Sequence, residues 1–290
     1  MGSRIAARLL AAGSEVHGWN RTPGKAPELE AAGLGIERSP AKVARASDGV
    51  FSMVTDTEAV QEIVAGPGGL LEGLRPGAVL VEMSTIDPAA SASLAELVAA
   101  TGAVMLDAPV SGSVATLEAG QLSIMVGGDE AAYERVRPLL LRIGPKVMRI
   151  GSNGQALLVK LAVNNTLVAE MVAFCENVAM AEKGGVSRAV AVEALLQSVV
   201  SSPMLQYRGP FVLPGNMPSQ AWSNVNLQQK DMTLGLATGK RLATPLPTST
   251  AANELLTAAR GMGLDQYDFA VVYEVFRALN GLSGTRTLGE

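Results

Sequence analysis

Residues 78–107 read AVLVEMSTIDPAASASLAELVAATGAVMLD. The run 78–83 has strand character. Asp87 and Pro88 then mark a helix start, because an Asp side chain accepts from free N–H groups and Pro suits the first helical position. The pattern predicts a helix over 88–100 and a second strand over 103–107. Strand, helix and strand at this spacing build a mostly parallel sheet with helices on both faces. Working outward, strand character recurs at 14–20, 49–54 and 122–126, and more weakly at 146–150. Helical patterns cover 57–64 and 130–141.

Beyond Gly151 the alternation stops. One long helical stretch, rich in Ala, Leu, Val and Met, covers 154–183, and others cover 188–199, 221–238, 248–260 and 268–280. The expected fold is α/β, a doubly wound Rossmann-type sheet followed by an all-helical domain. The boundary divides the chain into 1–151 and 152–290.

The composition narrows the function. Of the 290 residues, 48% are hydrophobic and 17% charged, a globular balance. A net charge of −4 argues against nucleic acid or an anionic membrane as the main partner. The most apolar run, 156–169, carries Lys160, Asn164 and Asn165, which argues against a lipid-facing helix. The single cysteine, Cys175, rules out an internal disulfide and fits a reducing cytoplasm. The single histidine, His17, leaves no His/Cys set for a metal and no second candidate for a histidine acid or base.

The first residues carry a fragment of a phosphate-binding signal. Dinucleotide-binding domains open with a strand, then G-x-G-x-x-G, then a helix whose N-terminus faces the pyrophosphate. Here Met1-Gly2 leads directly into an amphipathic helix over 3–12, so Gly2 stands where the third glycine would. The first strand is missing on this reading, and about ten further residues upstream are expected. At the end of the next strand a dinucleotide site usually presents an acidic residue to the ribose; this chain has Asn20-Arg21-Thr22. Arg21 can pair with a 2′-phosphate and Thr22 can donate to it, whereas Thr22-Pro23-Gly24 is also ordinary turn chemistry. The strand in front favours a phosphate site, and NADP.

Lys160 lies among Leu157, Leu158, Val159, Leu161 and Val163. Desolvation favours the neutral form of an ammonium, which makes a lysine a proton donor near neutrality. A lysine snorkelling from a helix end is the bland alternative. Asn164, four residues on and on the same face, weighs against it, since an apolar helix gains nothing from a buried amide. Asn165, one position on, is expected to point elsewhere. Ser111-Gly112-Ser113, closing the segment 107–113, could turn backbone N–H groups towards an anion or be a plain turn. Lys230-Asp231 could be a second functional pair or a solvated one.

Together these segments resemble the β-hydroxyacid dehydrogenase family, which includes 3-hydroxyisobutyrate dehydrogenases, tartronate semialdehyde reductases and glyoxylate/succinic semialdehyde reductases. The resemblance spans the whole chain. Met1-Gly2 matches the end of the family's G-L-G-x-M-G, and 107–113 match D-A-P-V-S-G-G except for Ser113. Gly154, Lys160 and Asn164 match G-x-x-x-x-x-K-x-x-x-N. Ser84-Thr85-Ile86-Asp87-Pro88 matches S-T-x-x-P, and Lys230-Asp231 matches the later K-D. Met53-Val54-Thr55-Asp56 falls at a cofactor-contacting loop, with Val54-Thr55 in place of the usual Leu-Pro.

The resemblance implies NADPH-dependent interconversion of a small carboxylated aldehyde and its hydroxyacid. It implies Lys160 as general acid/base and Asn164 as its positioner. Ser111, Gly112, Ser113, Thr85 and Asp231 would hold substrate. Gly2, Asn20, Arg21, Thr22, Met53, Val54, Thr85 and Lys230 would hold cofactor, and Trp222 would lie near the substrate. It also implies a 6-phosphogluconate dehydrogenase-like helical domain, a homodimer or homotetramer, and a cytoplasmic enzyme. Imine reductases, which share Asn-Arg-Thr at the second strand but typically lack the lysine, are the alternative. A non-catalytic binding module of the same fold is another.

Overall fold

The computed structural model describes residues 1–282 and 287–288. Residues 283–286 and 289–290 of the expected helical domain lie outside the described residues. The chain divides into two units, Met1–Lys160 and Leu161–Glu290.

The first unit runs α1 (Gly2–Ala11), β1 (His17–Gly18), α2 (Pro27–Ala31), β2 (Gly35–Ile36), α3 (Pro40–Ala46), β3 (Gly49–Ser52), α4 (Thr57–Ala65), β4 (Val79–Glu82) and α5 (Pro88–Ala99). It continues with β5 (Val104–Asp107), β6 (Val110–Ser111), α6 (Val114–Glu118), β7 (Ser123–Gly127), α7 (Glu130–Ile143) and β8 (Lys146–Gly151). Then α8 (Gln155–Lys183) begins. The main sheet has the order β3-β4-β5-β7-β6, with β8 also paired to β7. Strands β3, β4 and β5 are parallel, β7 is antiparallel to β5 and β6, and β8 is parallel to β7. Strands β1 and β2 form a two-stranded parallel sheet of their own.

β4 shows why the sheet is covered on both faces. Val79 and Val81 pack in one apolar cluster with Ile5, Leu9, Leu106 and Leu140. Leu80, between them in sequence, packs in another with Val60, Leu94 and Val98. Alternate side chains of a strand point to opposite faces, so a continuous apolar run needs a helix layer on each side. Caps punctuate the helices: Asp87, as expected, accepts the N–H groups of Ala89 and Ala90 ahead of α5, and Asp56 accepts that of Ala59 in α4.

The elements the pattern did not reveal are short. β2, β6, α2, α3 and α6 hold two to seven residues each, too few to show a period. Of the expected strand over 14–20, only His17–Gly18 pairs.

The second unit contains the rest of α8, then α9 (Arg188–Leu196), α10 (Pro203–Arg208), α11 (Val225–Arg241), α12 (Pro247–Gly261) and α13 (Val272–Asn280). Its core gathers Val168, Met171, Cys175, Val178, Met232, Leu256, Phe269 and Tyr273. α11 starts later than its apolar pattern, because Asn224 caps it by accepting the Leu227 N–H. By length and composition α8 could cross a membrane, and half of its most apolar window is buried inside the fold.

Candidate active site and cofactor residues

In the first unit, α1 opens at Met1 with no side-chain cap and no acidic residue in its first turn. Its N–H groups and dipole are therefore available to an anion. Gly2 lies against Met53: a Cβ there would sit 3.6 Å from the Met53 Cβ and 3.7 Å from its carbonyl oxygen. Asn20, Arg21 and Thr22 are exposed in the turn after β1, where the Asn20 amide donates to the Thr22 carbonyl at 2.7 Å. An uncapped helix start and an exposed guanidinium after the β1 strand are each suited to an anionic group. The His17 ring lies between Glu15 and Glu37.

Met53 and Val54 are half-buried after β3, and Thr85 is half-buried after β4. A buried hydrogen-bonded frame joins the two loops. The Val54 N–H donates to Ser84 Oγ at 2.8 Å, and the Ser84 N–H donates to Glu82 Oε1 at 2.7 Å. The Ser52 hydroxyl donates to the other Glu82 oxygen. Glu82 is fully buried, and burial raises its carboxyl to about 6 against the pull of the Ser52 and Ser84 hydrogen bonds.

Beside it in register stands Asp107, the last residue of β5 and also fully buried. Asp107 Oδ1 accepts from the Gly154 N–H at 2.9 Å and the Asn153 amide at 3.1 Å, which fastens the start of α8. Burial raises this carboxyl too, against those same hydrogen bonds.

The segment expected to bind substrate is partly strand. Val110 and Ser111 pair with β7, and Gly112 turns the chain at φ +129°. A Cβ on Gly112 would come within 2.8 Å of the Thr116 side chain and 2.9 Å of Leu122, so glycine is required there. Ser113 begins α6: its Oγ accepts the Thr116 N–H, and its own N–H donates to Thr116 Oγ1. The departure from the family's second glycine is thus a helix cap, which turns this hydroxyl and N–H inward to α6.

Lys160 is buried in α8, in agreement with its apolar neighbours. One turn on, Asn164 is also buried, and its amide donates to Asp231 Oδ2 of α11 at 2.5 Å. The Lys230 ammonium lies 2.9 Å from Asp231 Oδ1. Asp231 is buried and the Lys230 side chain is 25% exposed, so only the lysine end of the pair meets solvent. Asn165 does not point away: it meets α11 one turn along, where a Cβ on Gly235 would fall 2.5 Å from its Oδ1. Adjacent helix positions straddle one interhelical groove, and the absent side chain at Gly235 lets the second amide in. Trp222 is partly exposed and packs edge-on against Phe211 at 5.1 Å.

Residues 1–151 match the NAD binding domain of 6-phosphogluconate dehydrogenase, and residues 154–276 match the NAD-binding domain of NADP-dependent 3-hydroxyisobutyrate dehydrogenase. The chain is 34% identical to glyoxylate/succinic semialdehyde reductase 2 of Arabidopsis thaliana, over 96% of this chain and 77% of that one. The chain belongs to the β-hydroxyacid dehydrogenase family.

Solved structures agree. The 3-hydroxyisobutyrate dehydrogenase of Salmonella typhimurium superposes with a TM-score of 0.84 at 28% identity, covering 94% of this chain and 95% of that one. Psf3, solved in complex with NADP+ and 2-OPP, superposes with a TM-score of 0.84 at 27% identity, covering 95% and 96%. This β-hydroxyacid dehydrogenase is thus a nicotinamide-dependent oxidoreductase with a Rossmann-like domain and a helical C-terminal domain.

The geometry adds what the motifs of the dehydrogenase did not show. Ser84 and Asp107 belong to recognised segments, but their buried carboxylate and hydroxyl partnerships do not show in sequence. Glu82 carried one signal, a carboxylate closing an otherwise apolar strand.

Proposed function

We propose that this dehydrogenase interconverts a small carboxylated aldehyde and its hydroxyacid, with NADPH preferred over NADH. When bound, the cofactor supplies or accepts the hydride. Lys160 is the general acid, giving a proton from Nζ to the forming alkoxide and taking it back in the oxidative direction. Asn164, held by the buried Asp231 carboxylate, orients Lys160 or the substrate oxygen. Ser111 and Gly112, with Thr85, receive the carboxylate. Arg21 and Thr22 receive the 2′-phosphate, and Lys230 reaches the cofactor. Residues 1–151 form the cofactor domain and 152–290 the helical domain.

The observation that carries the reading is the run of buried polar groups on α8 and α11: Lys160, then Asn164, then Asp231. A buried ammonium and amide are costly unless each has a task. A retained lysine also favours a carbonyl reductase over an imine reductase or a non-catalytic module.

NADPH oxidation with a panel of carboxylated aldehydes and a cyclic imine tests this. The expected result is turnover of at least one aldehyde, faster with NADPH than NADH. In Lys160→Met, kcat should fall by about a hundredfold or more with NADPH affinity unchanged. Full turnover in a folded Lys160→Met protein would remove Lys160 from the mechanism. Turnover of the imine alone would favour the other enzyme class.

A further inference from the structure

Two carboxylates, Glu82 and Asp107, end adjacent strands at the same register and are completely buried. Burying an ionisable carboxyl is costly unless hydrogen bonds replace its water, and a second carboxylate beside it adds repulsion. Asp107 has a visible task in fastening the start of α8.

Glu82 acts differently. Its two oxygens reach in two directions, to the Ser52 hydroxyl at the end of β3 and to the Ser84 N–H just past β4. Ser84 in turn receives the Val54 N–H on its hydroxyl. The ring therefore closes through Glu82, Ser52, Val54 and Ser84. Two loops that would otherwise leave the sheet independently are tied into one frame. Backbone bonds set the base of the ring, with the Met83 N–H on the Ser52 carbonyl at 2.8 Å and the Ala108 N–H on the Glu82 carbonyl at 2.6 Å. The frame also reaches α1, whose Gly2 rests on Met53.

We propose that Glu82 is a positioning residue of the dinucleotide site, clamping the Met53-Val54 and Ser84-Thr85 loops at the spacing the nicotinamide half of the cofactor needs. The clamp rests on the cofactor reading above, which assigns Met53, Val54 and Thr85 to the cofactor. Glu82 touches neither cofactor nor substrate and acts through Ser84 and Val54. What the frame requires is two correctly directed polar atoms rather than a charge. An amide in place of the carboxylate keeps an acceptor for the Ser84 N–H and offers an NH2 to the Ser52 oxygen.

The test compares binding of NADPH with that of 2′,5′-ADP, which carries the adenosine phosphates and no nicotinamide. Fluorescence titration and calorimetry on the full chain supply the two Kd values. Glu82→Ala and Ser84→Ala are each expected to raise the NADPH Kd by about tenfold, the scale of one lost hydrogen bond of this kind, and to leave the 2′,5′-ADP Kd within about twofold. Glu82→Gln should keep both within about twofold of wild type.

If Glu82→Ala does not fold, Ser84→Ala decides, since it removes a single oxygen. NADPH binding unchanged in the alanine variants, whatever happens to their melting temperatures, would reduce Glu82 to a structural residue. Equal weakening of both ligands would mean general damage and would equally overturn the clamp. A wild-type chain that binds neither ligand would sink the cofactor reading and the clamp with it. A wild-type chain that binds both normally while the variants do too would sink the clamp alone.

Discussion

At the scale of single residues, the buried carboxylates set how stability responds to pH. The Glu82 carboxyl is raised from 4.5 to about 6, chiefly by desolvation and also by the Asp107 charge beside it, with the Ser52 and Ser84 hydrogen bonds opposing. A raised folded-state value means the folded chain holds this proton more tightly than the unfolded one. The stabilisation is complete below about pH 4.5 and is lost as pH rises through about 6. The shift corresponds to about 2 kcal/mol, as an order of magnitude. Asp107 shifts in the same direction, so a single substitution is needed to separate them. The stability of wild type minus that of Glu82→Gln, from denaturant titrations at pH 4.5 and 7, should fall by about 2 kcal/mol between the two. A difference that stays flat or grows with pH would show that Glu82 does not titrate as its burial requires.

At the scale of elements, the start of α8 is a tightly constrained junction. Gly154 has φ +85°, and a Cβ there would meet the Pro88 carbonyl oxygen at 2.7 Å, at the first turn of α5. Its N–H is held by Asp107. Gly127 makes room for that carboxylate, since a Cβ on it would fall 2.6 Å from Asp107 Oδ2. The helix carrying Lys160 is thus pinned at its first turn by a strand-end carboxylate and two glycines. Gly154→Ala should destabilise the protein by about 1–3 kcal/mol, the cost of a left-handed backbone on a residue with a Cβ, with the close approach adding to it. It should also lower kcat, because Lys160 follows less than two turns later. A Gly154→Ala protein as stable and as active as wild type would show that this junction relaxes freely.

At the scale of the whole molecule, the helical unit leaves several large apolar side chains exposed, among them Met180, Val190, Val199 and Leu279. Single exposed apolar residues are common on any protein surface; we propose that those on the helical unit serve self-association. Among homo-oligomers, closed two-fold assembly is the commonest form. Light scattering at micromolar concentration should therefore give two or four times 29.9 kDa. A monomer across that range would overturn the oligomer.

Much of this is legible in the sequence alone. The strand-helix-strand period of 78–107 follows from the alternation of apolar runs and helix-starting residues, because local periodicity and capping are written in neighbouring residues. The long apolar helix with Lys160 and Asn164 one turn apart is equally local, and so is the Asn20-Arg21-Thr22 turn. The partners are not local. Asp231 meets Asn164 across 67 positions of chain, and Glu82 meets Ser52 across 30. No spacing rule relates such pairs, and a polar residue reads the same in sequence whether water or another buried group satisfies it. Ser113 as a cap, Asn165 in the groove opened by Gly235, and two carboxylates side by side at the ends of adjacent strands became definite only when the chain folded. A buried polar group must find its hydrogen bond wherever tertiary packing places one.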